Sequence, residues 1–125
     1  MTIAMYYSYV PYVLAVWDGD MPADNERAAE EYERLVDLTE DREIPPTPKI
    51  RRYVDALLGH WPDITEEGDE NSPWIDGPLM NDANGPLFVF GLANHLGEEP
   101  FTYCRELARE HGLICFDPDS EELLR

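Results

Sequence analysis

A chain of 125 residues carries 27 aspartates and glutamates against nine lysines and arginines, for a formal net charge of −18. That balance argues against nucleic acid as a direct partner, because phosphate contacts need basic side chains, and against docking on anionic membranes. A hydrophobic share of 43% is enough for a folded chain, and the length suits one core without metals or disulfides. The reading is therefore a single domain, 1–125, with an aromatic N-terminal arm at 1–11 and an α+β core at 12–125. Acidity also has a bland explanation in solubility or a salt-rich habitat.

The opening "MTIAMYYSYVPYVLAVW" has no charged side chain, yet it lacks a basic leader and a small-residue cleavage site. It is also short for a membrane span. "YVLAVW", Tyr12 to Trp17, reads instead as a buried strand. In "MPADNERAAEEYERLVDL" the period changes: Ala28, Tyr32, Leu35 and Val36 form one apolar stripe of a helix, with Asp24 as N-cap and Glu30 paired with Arg34. "TPKIRRYVDALLGHWP" predicts a second helix, capped by Thr47, started by Pro48 and buried through Ile50, Tyr53, Val54, Leu57, Leu58 and Trp61. Pro62 ends it.

"DITEEGDENS" is a loop by composition. "PWIDGPLM" and "PLFVFGLA" flank "NDANG" and predict a hairpin, with Asn84-Gly85 in the left-handed positions of its turn. Pro73, Pro78 and Pro86 make the first of these an edge or bulged strand. A third helix carries Phe101, Cys104, Leu107, Ala108 and His111 on one side and stops at Gly112. "LICF" follows as a buried strand, ended by Asp117-Pro118. The order β-α-α-β-β-α-β predicts an α+β, mainly antiparallel, ferredoxin-like βαββαβ sheet with one extra helix. The last strand should lie beside the first. Helices should pack on one face, leaving the other to the N-terminal arm, the extra helix or a partner.

"EHGLICFDPD" sets His111, Cys115, Asp117 and Asp119 close together, but across a helix end and a strand. A reactive thiolate needs a neighbouring cation or helix N-terminus, and Cys115 lies between Ile114 and Phe116 with acidic residues beyond. His60, His95 and His111 are far apart and lack paired metal-ligand spacing. The acidic runs at 18–20, 66–71 and 117–122 lack the twelve-residue calcium loop. No phosphate-cradling or nucleophile-elbow sequence occurs. The expectation is a non-enzyme with no catalytic residue, no cofactor and no metal. The two cysteines are too few for a disulfide framework and point to a reducing cytoplasm.

Between Arg52 and Arg105 there is no lysine or arginine, while ten carboxylates occur. Trp61 and Trp74 flank the densest part. An acidic patch with aromatic anchors suits a basic protein partner, and the candidate contact residues are Asp63, Glu66, Glu67, Asp69, Glu70, Trp74, Asp76 and Asp82. The competing reading is a solvated loop beside two core tryptophans.

"AVWDGDMPADNERAAEEYERL", "PPTPKIRRYVDALLGHWPD", "SPWIDGPL" and "CRELAREHGLICFDPDSE" resemble small, mostly uncharacterised acidic bacterial proteins of actinobacterial type. These pair an "AVW" strand with a terminal "A..HGL..(F/Y)DP" segment, and some are similar to immunity proteins of toxin systems. Asp119 departs from the glutamine expected after Pro118. The resemblance implies a cytoplasmic immunity-type inhibitor that occludes a basic toxin or nuclease. The alternatives are an enzyme or small-ligand binder using an open sheet face, and an acidic adaptor. Oligomeric state is left open, a homodimer included.

Overall fold

A computed structural model describes residues 12–63, 72–75, 77–93 and 95–125. The arm at 1–11 and most of the acidic loop lie outside the described residues. Strand β1 (Tyr12–Trp17) is followed by helices α1 (Asn25–Thr39) and α2 (Pro48–His60). A 3-10 turn (Leu79–Asp82) leads into β2 (Ala83–Asn84) and β3 (Leu87–Leu92), then α3 (Glu99–Glu110), β4 (Ile114–Asp117) and β5 (Glu122–Leu124). The strands form one antiparallel sheet in the order β2-β3-β1-β4-β5.

β1 is central because its apolar run contains no proline and so can bond on both sides. It pairs along its whole length with β3, from Tyr12↔Leu92 to Trp17↔Leu87, and on the other side with β4, from Ala15↔Phe116 to Trp17↔Ile114. Alternation then sends neighbouring residues to opposite faces. Leu14, Val16, Phe88, Phe90, Leu92 and Cys115 form one core with Ile50, Tyr53, Val54 and Leu57 of α2 and with Cys104 and Ala108 of α3. Ala15, Trp17, Leu87, Ile114, Phe116 and Leu123 form a second core with Ala28 and Leu35 of α1. Helices thus cover both faces, and among the described residues α1 packs on the face that the sequence reading left to the N-terminal arm, the extra helix or a partner.

Local chemistry explains the helix ends. Asp24 accepts from Arg27 N at 2.8 Å and Thr47 from Ile50 N at 3.4 Å, each relieving one unpaired donor of a first turn. α3 ends as expected at Gly112, whose φ of 71° is in the left-handed region. Its N–H reaches Arg109 O and that of Leu113 reaches Ala108 O, the paired bonds of a Schellman motif.

Several expectations need correction. The predicted strand through "PWIDGPLM" is reduced to one bridge, Trp74↔Leu92, and the 3-10 turn. Pro73 and Pro78 have no N–H to offer a ladder. A fifth strand, β5, was not foreseen. Asp117 does not merely end β4: its Oδ1 accepts from Asp119 N and Ser120 N, which turns the chain back along β4. The added strand and the two-residue β2 separate this sheet from the four-strand ferredoxin-like arrangement expected. On α1, Val36 is exposed and Thr39 takes its buried place, its hydroxyl satisfied by Leu35 O at 2.9 Å. Arg34 pairs with Glu31 rather than Glu30, and Glu30 with Arg27.

Of the two residues expected in the left-handed turn positions, Gly85 is there, while Asn84 lies in β2 and has a further role. The Asn84 side chain accepts from Ile44 N at 2.8 Å and donates to Thr39 O and Arg42 O at 3.2 and 2.7 Å. Gly85, at φ 57°, packs so closely on Ile44 that a Cβ would sit 3.2 Å from its Cγ2. Main-chain bonds Gly85 N→Ile44 O and Thr47 N→Gly85 O complete a latch that fixes the α1–α2 connection to the hairpin.

Candidate functional site

The candidate contact residues fall into two groups. Glu66, Glu67, Asp69, Glu70 and Asp76 lie outside the described residues. Of the others, Asp63 is half-buried and turned inward, its Oδ1 accepting from Leu79 N at 2.8 Å. It thereby satisfies the first main-chain donor of the 3-10 turn. Asp82, half-buried, closes that turn. Trp74 is core: it is 4% exposed, donates from Nε1 to Trp61 O at 2.7 Å, and meets Phe90 edge-on with ring centroids 6.2 Å apart. For this tryptophan the core alternative describes the structure, and it is not available as an exposed anchor.

A neighbouring aromatic cluster takes that position. At the end of α2, the exposed His60 ring stacks on Tyr103 of α3, with centroids 4.1 Å apart and planes at 15°. The half-buried Trp61 stands edge-on to Tyr103 at 5.1 Å and to Trp74 at 6.0 Å. Asp63 follows two residues later. Aromatic surface therefore borders the point where the acidic loop leaves α2. The sequence placed Trp61 beside that loop, but Tyr103 lies far along the chain and only the packing of α3 on α2 brings it there.

The "EHGLICFDPD" residues are not brought together as a reactive centre. His111 packs edge-on against Tyr53 at 6.0 Å, Cys115 faces the core, and Asp117 holds the β4–β5 turn. Burial pushes the Cys115 thiol up to about 12, with Asp117 adding to the rise and Arg105 opposing it. Burial likewise raises Cys104, and raises Tyr53, whose hydroxyl donates to Cys104 O at 2.8 Å. Among the described residues no group of three or more histidines, cysteines and carboxylates is placed to hold a metal ion. None of the helices there is long and apolar enough to cross a membrane.

These thiols should be inert to an aromatic disulfide reagent at neutral pH in the folded protein and should react only on unfolding. The raised Cys115 value also fixes a sign. Above the ordinary thiol range near 8.5 the unfolded chain loses a proton that the folded chain keeps until about 12. Stability should therefore fall as pH rises through that window. Cys115→Ala should flatten the decline, measured by urea denaturation at stepped pH. Each of Cys104→Ala and Cys115→Ala should cost roughly 1 kcal/mol or more at neutral pH.

The described residues define an α+β single domain with an aromatic cluster of His60, Trp61 and Tyr103 where α2 meets α3. Comparison of the chain with protein-family models, with curated proteins and with solved structures finds no match to any of them.

Proposed function

We propose that the protein acts by binding rather than by catalysis, as an immunity-type inhibitor that covers the phosphate-binding surface of a basic toxin or nuclease. One observation carries this reading. Two ion pairs, Arg27–Glu30 and Arg34–Glu31, lie on the exposed surface of α1. With 27 carboxylates against nine basic residues, the negative charge is left largely unspent inside the fold. A surface so charged accelerates encounter with a basic partner. His60, Trp61 and Tyr103 then supply buried contact beside it.

The resemblance of the "AVW" and "HGL..FDP" segments to immunity proteins supports the same reading, as does a cytoplasmic setting for two thiols kept reduced. The ferredoxin-like relationship belongs to the proposal too: with β5 set aside, the strands run β2-β3-β1-β4. The small-ligand reading on an open sheet face loses its premise, because α1 covers one face and α2 and α3 the other.

The test is co-expression with the product of the adjacent gene. Rescue of cells from a basic toxin encoded there supports inhibition; a non-toxic neighbour, or no rescue, overturns it. Neutralising Glu66, Glu67, Asp69 and Glu70 to their amides should slow association and leave dissociation nearly unchanged. The wild-type on-rate should fall steeply with salt, as the Debye length shortens below about 8 Å. Stopped-flow measurement checks both.

A further inference from the structure

The basic residues of this acidic chain are gathered. Arg105 and Arg109, one turn apart on α3, both donate from Nη2 to Arg125 O, at 2.9 and 3.1 Å. Arg125 donates from its own Nη2 to Ala23 O at 3.2 Å, which ties it to the β1–α1 connection. Between these groups lies a cleft of about 270 Å³. Its other walls are Met21, Leu113, Leu124 and the buried Cys115. Three of nine basic residues thus line one small, otherwise apolar space.

Two observations go beyond a clamp on the last strand. Among the described residues, none of these arginines forms an ion pair with a carboxylate side chain, although the chain has 27. The acceptor that Arg105 and Arg109 share is instead the main-chain oxygen of Arg125, the last residue of the sequence. In addition, Arg105 Nε is buried and has no hydrogen-bond partner there, a donor stripped of water without compensation.

We propose that this cleft binds a small organic carboxylate with an apolar body. The planar fork of arginine matches a carboxylate in bidentate geometry, so Arg105 and Arg109 would take the head group. The body would lie against Leu113, Cys115 and Leu124. Met21, 55% exposed at the rim, gains cover when that body is seated. The volume falls just under the drug-sized range of about 300–1,000 Å³, which fits a short chain or one ring. A singly charged head is favoured over a phosphate monoester, because the field of a −18 protein opposes every added negative charge. This site shares no residue with the acidic surface and stands independently of the inhibitor reading.

The experiment titrates the full chain with hexanoate and follows backbone amides by NMR. Saturable shifts centred on Leu113, Cys115 and Leu124 are expected, with hexanol and inorganic phosphate each binding about tenfold more weakly or worse. Arg109→Gln, at an exposed side chain, should weaken hexanoate by about tenfold or more while thermal stability stays near wild type. Arg105→Lys keeps the charge without the fork and should weaken it as well. Absence of saturable shifts overturns the proposal. Equal binding of hexanol would reduce the cleft to an apolar groove, and equal binding of phosphate to a general oxyanion patch; either result also overturns it. So does unchanged hexanoate affinity in Arg109→Gln, which would leave the arginines as a clamp on Arg125 alone.

Discussion

Trp74→Ala should destabilise the protein by about 3–5 kcal/mol, the usual cost of emptying a large aromatic site in a core. The side chain is 4% exposed and packs between Phe90 on β3 and Trp61 at the end of α2. Its loss also leaves Trp61 O without the 2.7 Å bond from the indole. Trp74→Phe separates these effects, since it keeps most of the ring contact and removes only the donor. It should cost about 1–3 kcal/mol. Urea denaturation with a common slope measures both. A loss below 1 kcal/mol for Trp74→Ala would mean that the indole is not a core element, and would return it to the candidate interface.

Asn84→Ala should cost about 3 kcal/mol, from three hydrogen bonds at roughly 1 kcal/mol each. The position is half-buried, and one side chain serves three main-chain groups on the α1–α2 connection, at Thr39, Arg42 and Ile44. Asn84→Asp is the sharper probe. A carboxylate can still accept from Ile44 N, but it offers no donor to Thr39 O and Arg42 O and sets a charge against both carbonyls. The aspartate should therefore be no more stable than the alanine at neutral pH, and should improve as acid protonates it. An aspartate variant as stable as the parent would show that the two donated bonds contribute nothing. Amide exchange at Ile44 and Thr47 reports the same latch locally, because release of the connection exposes both.

What the sequence made legible follows from how local each signal is. The three helices, their caps at Asp24 and Thr47, the Gly112 stop and the two apolar strands each depend on residues within a turn or two of one another. Their periodicity and end chemistry survive into the structure. β5 was hidden because Glu121 and Glu122 lead into only two leucines, and its pairing with β4 depends on the Asp117 turn. The hairpin forms, but its first strand is only Ala83–Asn84, because the prolines of "PWIDGPLM" break the longer strand expected there. Gly85 makes the turn as its chemistry suggests, yet the Asn84 side chain is spent on a segment forty residues earlier, around Ile44. The site shows the same division. Charge asymmetry between Arg52 and Arg105 is visible in the string of letters. The stacking of His60 on Tyr103, the inward turn of Asp63 and the convergence of Arg105 and Arg109 on Arg125 are products of tertiary packing.

The sheet ends in strands of two and three residues, β2 on one side and β5 on the other. So short a rim offers an incoming peptide few free main-chain groups, and Glu122 on β5 adds an exposed charge to one of them. Recognition by strand addition, which draws its affinity from a run of backbone bonds, has no adequate template among the described residues. The described surface is better suited to selection through side chains: by charge, by ring faces and by the shape between them. Such contacts tolerate sequence drift in the scaffold while tying specificity to a handful of positions. The same bluntness discourages copies of the chain from joining sheet to sheet at high concentration.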